Sequence, residues 1–240
     1  AAIPFIGPDL ALLIRGDYVV GDATLNRFFA FHVIAVPLVL LGLVVAHLIA
    51  LHEVGSNNPD GVEIKAHKDA KGKPLDGIPF HPYYTVHDIF AVSVFLMVFT
   101  AIIFFAPEAG GYFLEYNNFI PADPLKTPLH IAPVWYFTPY YSMLRAVPDK
   151  LGGFITMAAA IAILFVLPWL DRSPVRSMRY KGNISRAALL MLAAVFIILG
   201  YLGVKAPTAG RTLLAQICTV LYFSYFIGIY FWTKYETTRP

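Results

Sequence analysis

Three histidines in one apolar stretch are the residues whose type and spacing suggest chemistry. His32 and His47 lie inside the run Phe28–Leu51, which has no residue with a fixed charge, and His52 follows directly. A neutral imidazole has one donor and one acceptor nitrogen, and leaving either unpaired in hydrocarbon is costly. Each ring therefore needs a partner, which is either a polar group on a neighbouring helix or a metal ion.

The spacing of His32 and His47 favours metal ligation. Fifteen positions of regular helix separate them by ~22 Å along the axis and by about 60° around it. Both therefore project from nearly the same face at opposite depths, which suits two flat cofactors stacked along the membrane normal, each bound through an imidazole. Each histidine alone is equally well explained by a hydrogen bond. His52 points elsewhere, and Pro37 allows a kink between the pair.

The composition predicts a bundle of membrane helices that positions these histidines. The chain has 240 residues, of which 58% are hydrophobic and 14% are charged, which excludes an ordinary soluble domain. We expect an all-α fold, a polytopic transmembrane helix bundle with five spans. The apolar runs are Phe28–Leu51, Val86–Ala106, Phe154–Leu170, Ala187–Val204 and Leu213–Trp232. The single cysteine, Cys218, excludes an intramolecular disulfide.

The distribution of Lys and Arg predicts the orientation. The loops after the first and third runs, together with the tail, hold 11 of the 18 basic residues. These segments should therefore be cytoplasmic. The net charge of +3 follows from this topology and gives no reason to expect a nucleic-acid partner, whereas membrane lipid is an expected one.

Polar residues at the cytoplasmic edge form a second candidate site. His52, Ser56, His81, His87 and Asp88 would converge there if the first two spans pack antiparallel. Imidazole and carboxylate groups at an apolar rim can deliver protons to a reduced ligand. A solvated loop, with His87 and Asp88 as the polar start of a helix, is the alternative.

The longest connection, Pro107–Gly153, is rich in proline and aromatic residues. Long structured loops are often functional. Its run Trp135–Leu144 is too short to span a bilayer, so we expect an interfacial helix there. The aromatic side chains are either interfacial anchors or the walls of a pocket for a hydrophobic ring.

These features predict five segments of the chain. The last three spans, which contain no His, Asp or Glu, should provide packing and lipid contacts, with glycines that permit close helix approach. The segments are 1–27, an outer-face interfacial segment; 28–52, the histidine-bearing span; 53–106, the cytoplasmic loop and second span; 107–153, the outer loop; and 154–240, three C-terminal spans.

Five motifs resemble cytochrome b of the quinol:cytochrome c oxidoreductase complex, in its C-terminal portion from the fourth to the eighth span. The resemblance runs nearly end to end and in family order. The motifs are FFAFH at 28–32, HLIALHEVGSNNP at 47–59, IPFHPYYTVHD at 78–88, FFAP at 104–107 and HIAPVWYFTPYYSMLRAVPDKLGG at 130–153.

The resemblance implies a role for each candidate residue. His32 and His47 would be axial ligands of the low-potential and high-potential b-type haems, respectively. The inner quinone-reduction site would contain His52, Ser56 and Asp88. The outer quinol-oxidation site would contain Pro133, Trp135, Tyr136 and Tyr141.

The resemblance also implies an activity and partners. Quinol oxidation at the outer site would send one electron to a Rieske iron-sulfur protein and one through the haems to quinone at the inner site, coupled to proton translocation. Further expected partners are a membrane-anchored c-type cytochrome and a second copy of the whole complex. We expect a bacterial inner (cytoplasmic) membrane location rather than the mitochondrial inner membrane.

One departure from the family pattern concerns proton exit. The outer motif usually contains a glutamate, and Val134 stands in its place. We expect the proton to leave through water or through another acid, with Glu108, Glu115 and Asp123 as candidates.

Two further departures concern the histidines. His87 stands where mitochondrial members have lysine. The spacing of His32 and His47 is fifteen residues, whereas mitochondrial members have fourteen, and we expect a bulge near Pro37 to absorb the extra residue.

Each haem in the family takes its second histidine from another span, and no other helix of this chain offers one. We therefore expect an N-terminal half of cytochrome b, on the same or a separate chain, as a partner. The photosynthetic-type relative is an alternative, but its small subunit lacks the eighth span, so the run Leu213–Trp232 favours the respiratory form. A haem-free membrane transporter subunit using His32 and His47 as a proton relay is the alternative from another functional class.

Overall fold

The structure, a computed structural model, is all-α. It describes residues 1–55, 58–109, 119–121, 123, 125–126, 128 and 131–238. No β-strand occurs within these ranges. Their α-helices are α1 (Gly7–Arg15), α2 (Asp22–Ala30), α3 (Val36–Val54), α4 (Thr85–Phe105), α5 (Thr138–Ala146), α6 (Lys150–Leu170), α7 (Asn183–Val204) and α8 (Ala209–Tyr235).

The five apolar runs all form helices long enough to cross a membrane, as the sequence predicts. Each helix extends beyond its apolar run because helical backbone continues into the polar interface. The spanning segments are Asp22–Val54, Phe80–Phe105, Lys150–Leu170, Asn183–Val204 and Ala209–Tyr235. The expected helix at the N-terminus is α1, which packs beside the start of the first span, where Thr24 Oγ1 donates to Arg15 O at 2.6 Å.

A π-helical turn interrupts the first span between α2 and α3. It covers Phe31–Ala35, and the Val36 N–H donates to Phe31 O, five residues earlier. Pro37 follows directly and has no N–H to continue the regular pattern. The bulge that the sequence predicts near Pro37 is therefore present, and it contains His32.

Helices α5 to α8 pack around one apolar core. Met143 of α5, Leu199 of α7 and Phe226 of α8 are almost completely buried there. Two glycines allow α5 to approach its neighbours. A Cβ on Gly203 of α7 would overlap Thr138 O, and a Cβ on Gly153 of α6 would overlap Leu144 O. The short helix α5 is thereby held between the ends of the spans.

The two N-terminal spans have a different environment. No residue of the π turn, α2, α3 or α4 is buried. Their connecting loop meets the loop between α6 and α7, where Arg179 pairs with Asp60 at 2.5 Å and Arg176 with Glu63 at 2.7 Å. These two loops therefore lie on the same side of the molecule, as the predicted topology requires.

Candidate functional site

His32 and His47 both project from the exposed surface of the first span. His32 lies in the π turn and His47 lies in α3, about two turns before its end. No hydrogen bond joins either ring to a residue that the structure describes. Because each imidazole has two nitrogens to satisfy at membrane depth, both rings are available to a ligand from outside the described part of the chain.

The π turn brings the two histidines closer to alignment. A π turn takes one more residue than an α turn, so the fifteen positions between His32 and His47 act as about fourteen of regular helix. The expected separation is then ~21 Å along the axis and ~40° around it. Both imidazoles thus share one face of the span.

His52 has a different environment from the other two histidines. Its Nδ1 lies 2.7 Å from Leu48 O. Because a carbonyl oxygen only accepts, Nδ1 carries the proton in this hydrogen bond. The neutral ring therefore keeps Nε2 as an acceptor, directed away from its own helix.

The described residues of the inner candidate site are not joined to one another. Asp88 lies in the first turn of α4 and is exposed, and no hydrogen bond or ion pair joins it to His52, His81 or His87 there. The helices that carry them have no buried residue, so nothing in the described part fixes their separation. Ser56 lies outside the described residues.

The outer motif forms a turn of aromatic residues that leads into α5. Trp135–Phe137 is a single 3₁₀ turn, and Thr138 Oγ1 donates to Trp135 O at 2.6 Å where α5 begins. The Trp135 and Tyr136 rings meet edge to face at 5.5 Å, and they are 67% and 53% exposed. Pro133 precedes this turn and is half-buried. The aromatic rings thus form an open apolar wall.

Tyr141 is positioned by an arginine that the sequence motifs did not single out. The Arg145 guanidinium carbon lies 4.6 Å from the centre of the Tyr141 ring. Arg145 Nη2 also donates to Leu202 O at 2.6 Å and Arg145 Nη1 to Lys205 O at 3.1 Å. A cation at the carbonyl end of a helix is favourable, so Arg145 fastens α5 to the end of α7. The sequence signal for this role is a single charged residue, Arg145, directly after the apolar run Trp135–Leu144.

Neighbouring groups add to this arrangement. Burial raises the pKa of the Tyr140 hydroxyl because ionisation is unfavourable away from water. Tyr140 packs edge to face on Phe196 of α7 at 5.7 Å.

Of the candidate acids for proton exit, Glu108 and Asp123 are described and Glu115 is not. Asp123 Oδ1 accepts from the Leu125 N–H at 2.9 Å.

Two protein-family models match the chain and overlap in the outer loop. The model described as "Cytochrome b(N-terminal)/b6/petB" matches residues 1–139, and "Cytochrome b(C-terminal)/b6/petD" matches residues 121–223. The chain belongs to the cytochrome b family. It is a multi-pass membrane protein by its five helices, and family membership implies b-type haem binding.

Individual relatives agree with this assignment. A cytochrome b of Allochromatium vinosum is 55% identical over all of this chain and 60% of the relative, and one of Rhodospirillum rubrum is 47% identical over 95% and 54%. A solved structure titled "Hyperthermophilic respiratory Complex III" matches with a TM-score of 0.85 at 36% identity, over 98% of this chain and 58% of that one. The chain thus spans about three fifths of the length of the curated relatives it matches.

The histidines of this cytochrome b chain fit haem ligation by their chemistry. Imidazole nitrogens are common axial ligands of haem iron, and His32 and His47 offer them on one face of a membrane helix. Within the described residues no group of three His, Cys, Asp or Glu side chains is close enough to hold a metal ion.

Proposed function

We propose that this chain is part of the di-haem cytochrome b subunit of a respiratory quinol:cytochrome c oxidoreductase. Quinol would be oxidised to quinone at the outer site, releasing two electrons and two protons. One electron would go to a Rieske iron-sulfur protein and the other to quinone at the inner site. The proposal rests on two unpaired imidazoles that share one face of a membrane helix. The chain that holds them matches cytochrome b along its length.

His32 and His47 would hold the two haems, one toward each side of the membrane. When bound, each b-type haem supplies one-electron transfer between the outer and inner sites. The protein's contribution is to fix the two imidazoles on one continuous helix, because the π turn at Phe31–Ala35 keeps them on a common face. The remaining axial ligands would come from the N-terminal half of cytochrome b.

The outer site would bind the apolar quinol ring against Trp135, Tyr136 and Pro133. An open aromatic wall suits a flat hydrophobic ring. Tyr141 lies one helical turn into α5 and is held by Arg145, so its hydroxyl would be presented in a fixed direction. The Rieske protein would approach from the same outer loop.

The inner site would use His52, Ser56 and Asp88. The hydrogen bond from His52 Nδ1 to Leu48 O leaves Nε2 to contact the quinone. Both nitrogens of an imidazole can carry a proton, so a protonated Nε2 can pass its proton to reduced quinone and recover one from Asp88 or water. We also propose that the complex lies in a bacterial inner membrane. It would contain a membrane-anchored c-type cytochrome and would be a dimer.

The test is a reduced-minus-oxidised absorption spectrum of the native complex with single histidine variants. The His32→Leu and His47→Leu variants should each lose one of two b-type components. His67→Leu is the matched control, because His67 lies in the exposed loop with its Nδ1 3.3 Å from Glu63 O. Absence of b-type bands in the unmodified complex would favour the haem-free transporter, and full retention of both components in either span variant would reject these ligands.

Proton exit at the outer site is tested separately. Because Val134 cannot take a proton, we propose that water or one of Glu108, Glu115 and Asp123 does so. Replacing each acid singly by its amide and measuring quinol oxidation should show a loss for one of them. Unchanged rates in all three variants would exclude the acids and leave the water route.

A further inference from the structure

A small cavity lies at the outer end of the C-terminal helices. It has a volume of about 10 Å³ and is bordered by α5, by the end of α7, by the connection to α8 and by the first turns of α8. Its lining includes Ser142, Arg145, Leu202, Arg211 and Thr212. One water molecule needs about this volume, measured with a water-sized sphere.

Two buried polar atoms beside this cavity have no hydrogen-bond partner among the described residues. They are Ser142 Oγ and Arg145 Nε. Ser142 is only 1% exposed, and both residues line the cavity. A buried polar atom without a partner costs free energy comparable to a lost hydrogen bond, so a bound molecule that pairs both atoms would stabilise this region.

We propose that this cavity binds one water molecule between Ser142 Oγ and Arg145 Nε. The water oxygen accepts from the Arg145 Nε–H and exchanges a hydrogen bond with the Ser142 hydroxyl, which can both donate and accept. The positive charge of Arg145 is stabilised by the helix-end carbonyls to which its Nη atoms donate. The ligand at Nε therefore needs no negative charge.

The bound water completes the set of hydrogen bonds around Arg145. Nη1 and Nη2 donate to carbonyls at the end of α7, and the water takes the remaining Nε–H. Each of the three guanidinium nitrogens then has a hydrogen-bond partner while the group lies over the Tyr141 ring. This assignment does not depend on haem or quinone binding, so it can fail or succeed independently of the proposed function.

A density map of the assembled native complex at about 2.2 Å resolution or better is the direct test. We expect one compact peak within about 3.2 Å of both Ser142 Oγ and Arg145 Nε. A side chain of another subunit in this position, or elongated density of a lipid or detergent, would overturn the proposal. So would an empty cavity.

A pair of serine variants tests the contribution of Ser142. Ser142→Ala removes one partner of the water, whereas Ser224→Ala is the control, because Ser224 is exposed and its Oγ donates to Val220 O on its own helix at 2.7 Å. Ser142→Ala should lose the peak and lower the melting temperature of the complex by ~2 °C or more relative to Ser224→Ala. Equal melting temperatures with the peak retained would refute Ser142 as a ligand of the water.

Discussion

The two N-terminal spans and the C-terminal helices differ in how much of their surface this chain covers. Over the π turn, α2, α3 and α4 no residue is buried. In contrast, α7 and α8 contribute Leu199, Tyr222 and Phe226 to a common core. Helices that are all apolar enough to span a membrane therefore differ in whether this chain buries any of their residues. Hydropathy measures suitability for the bilayer, whereas packing depends on which faces meet.

The difference concerns which candidate residues this chain itself holds in place. The outer motif enters α5, whose position is fixed within this chain by glycine contacts and by Arg145. His32, His47, His52 and Asp88 lie on segments that contain no buried residue. The described part of the chain therefore fixes the helix that follows the outer motif more firmly than it fixes the two N-terminal spans.

The largest expected effect concerns haem binding by the isolated chain. Because His32 and His47 lie on an uncovered helix and each would supply one ligand, the purified 240-residue chain should not hold haem stably. The measurement is haem content and absorption spectrum after purification with added haem. Two six-coordinate haems in this preparation would show that the N-terminal spans need no further half.

The next effect is a packing contrast between glycines. Gly203→Ala would place a Cβ onto Thr138 O, so we expect a loss of ~1–3 kcal/mol in the free energy of unfolding. In the same helix Gly200→Ala is the control, since its nearest neighbour is Pro139 Cγ at 3.6 Å. Thermal unfolding in detergent should separate the two variants by several degrees.

Gly42 extends this contrast to the N-terminal spans. A Cβ at Gly42 of α3 would meet no atom within 4 Å, so Gly42→Ala should not destabilise the isolated chain and should favour the helix by up to ~1 kcal/mol. In the assembled complex, a partner that covers α3 would reverse the sign. Equal tolerance in both preparations would indicate that this part of α3 faces lipid.

A smaller effect is expected where α8 ends beside the start of α7. Glu236, just after α8, accepts from the Ser185 hydroxyl at 2.6 Å and from the Ser185 N–H at 3.2 Å, in the first turn of α7. Gly182, the N-cap, offers no side-chain acceptor. Glu236→Gln should therefore lower the free energy of unfolding by ~1 kcal/mol, by loss of a helix-end anion. Thr237→Val, at an exposed neighbour, provides the control in the same thermal assay.

The smallest effect concerns the loop contact between the two regions. Asp60 accepts from Arg179 at 2.5 Å and from the Tyr180 hydroxyl at 3.0 Å. The pair with Arg179 is exposed, so Asp60→Asn should cost ~0–1 kcal/mol, and the cost should shrink at high salt. Thermal unfolding at low and high ionic strength measures this. A large, salt-independent loss would instead mean that the loops hold the N-terminal spans in place.

The sequence predicted the elements of the fold better than their contacts. The five spans and the short helix that overlaps Trp135–Leu144 follow from local hydropathy. The bulge near Pro37 follows from the histidine spacing, which is one residue longer than in the family it resembles. The site residues named from the resemblance stay predictions. The position of Arg145 at the end of α7 depends on a contact between residues about 57 positions apart, which no local pattern encodes.

The expected convergence of His52 with Asp88 stays a prediction for a related reason. Both residues lie on helices with no buried residue, so packing within the described chain does not determine their separation. The sequences of the two spans do not indicate which face meets a neighbouring helix, because apolar residues lie on all sides of each helix.

The π turn at Phe31–Ala35 has a consequence for how membrane helices of this type can change. An inserted residue ordinarily rotates everything beyond it by about 100°, which would turn one of two aligned side chains to another face. A wide turn absorbs the insertion locally, so His32 and His47 keep a common face although the segment between them is longer. The number of residues between two side chains is therefore a poor measure of their distance along the helix or of their alignment wherever such a turn lies between them.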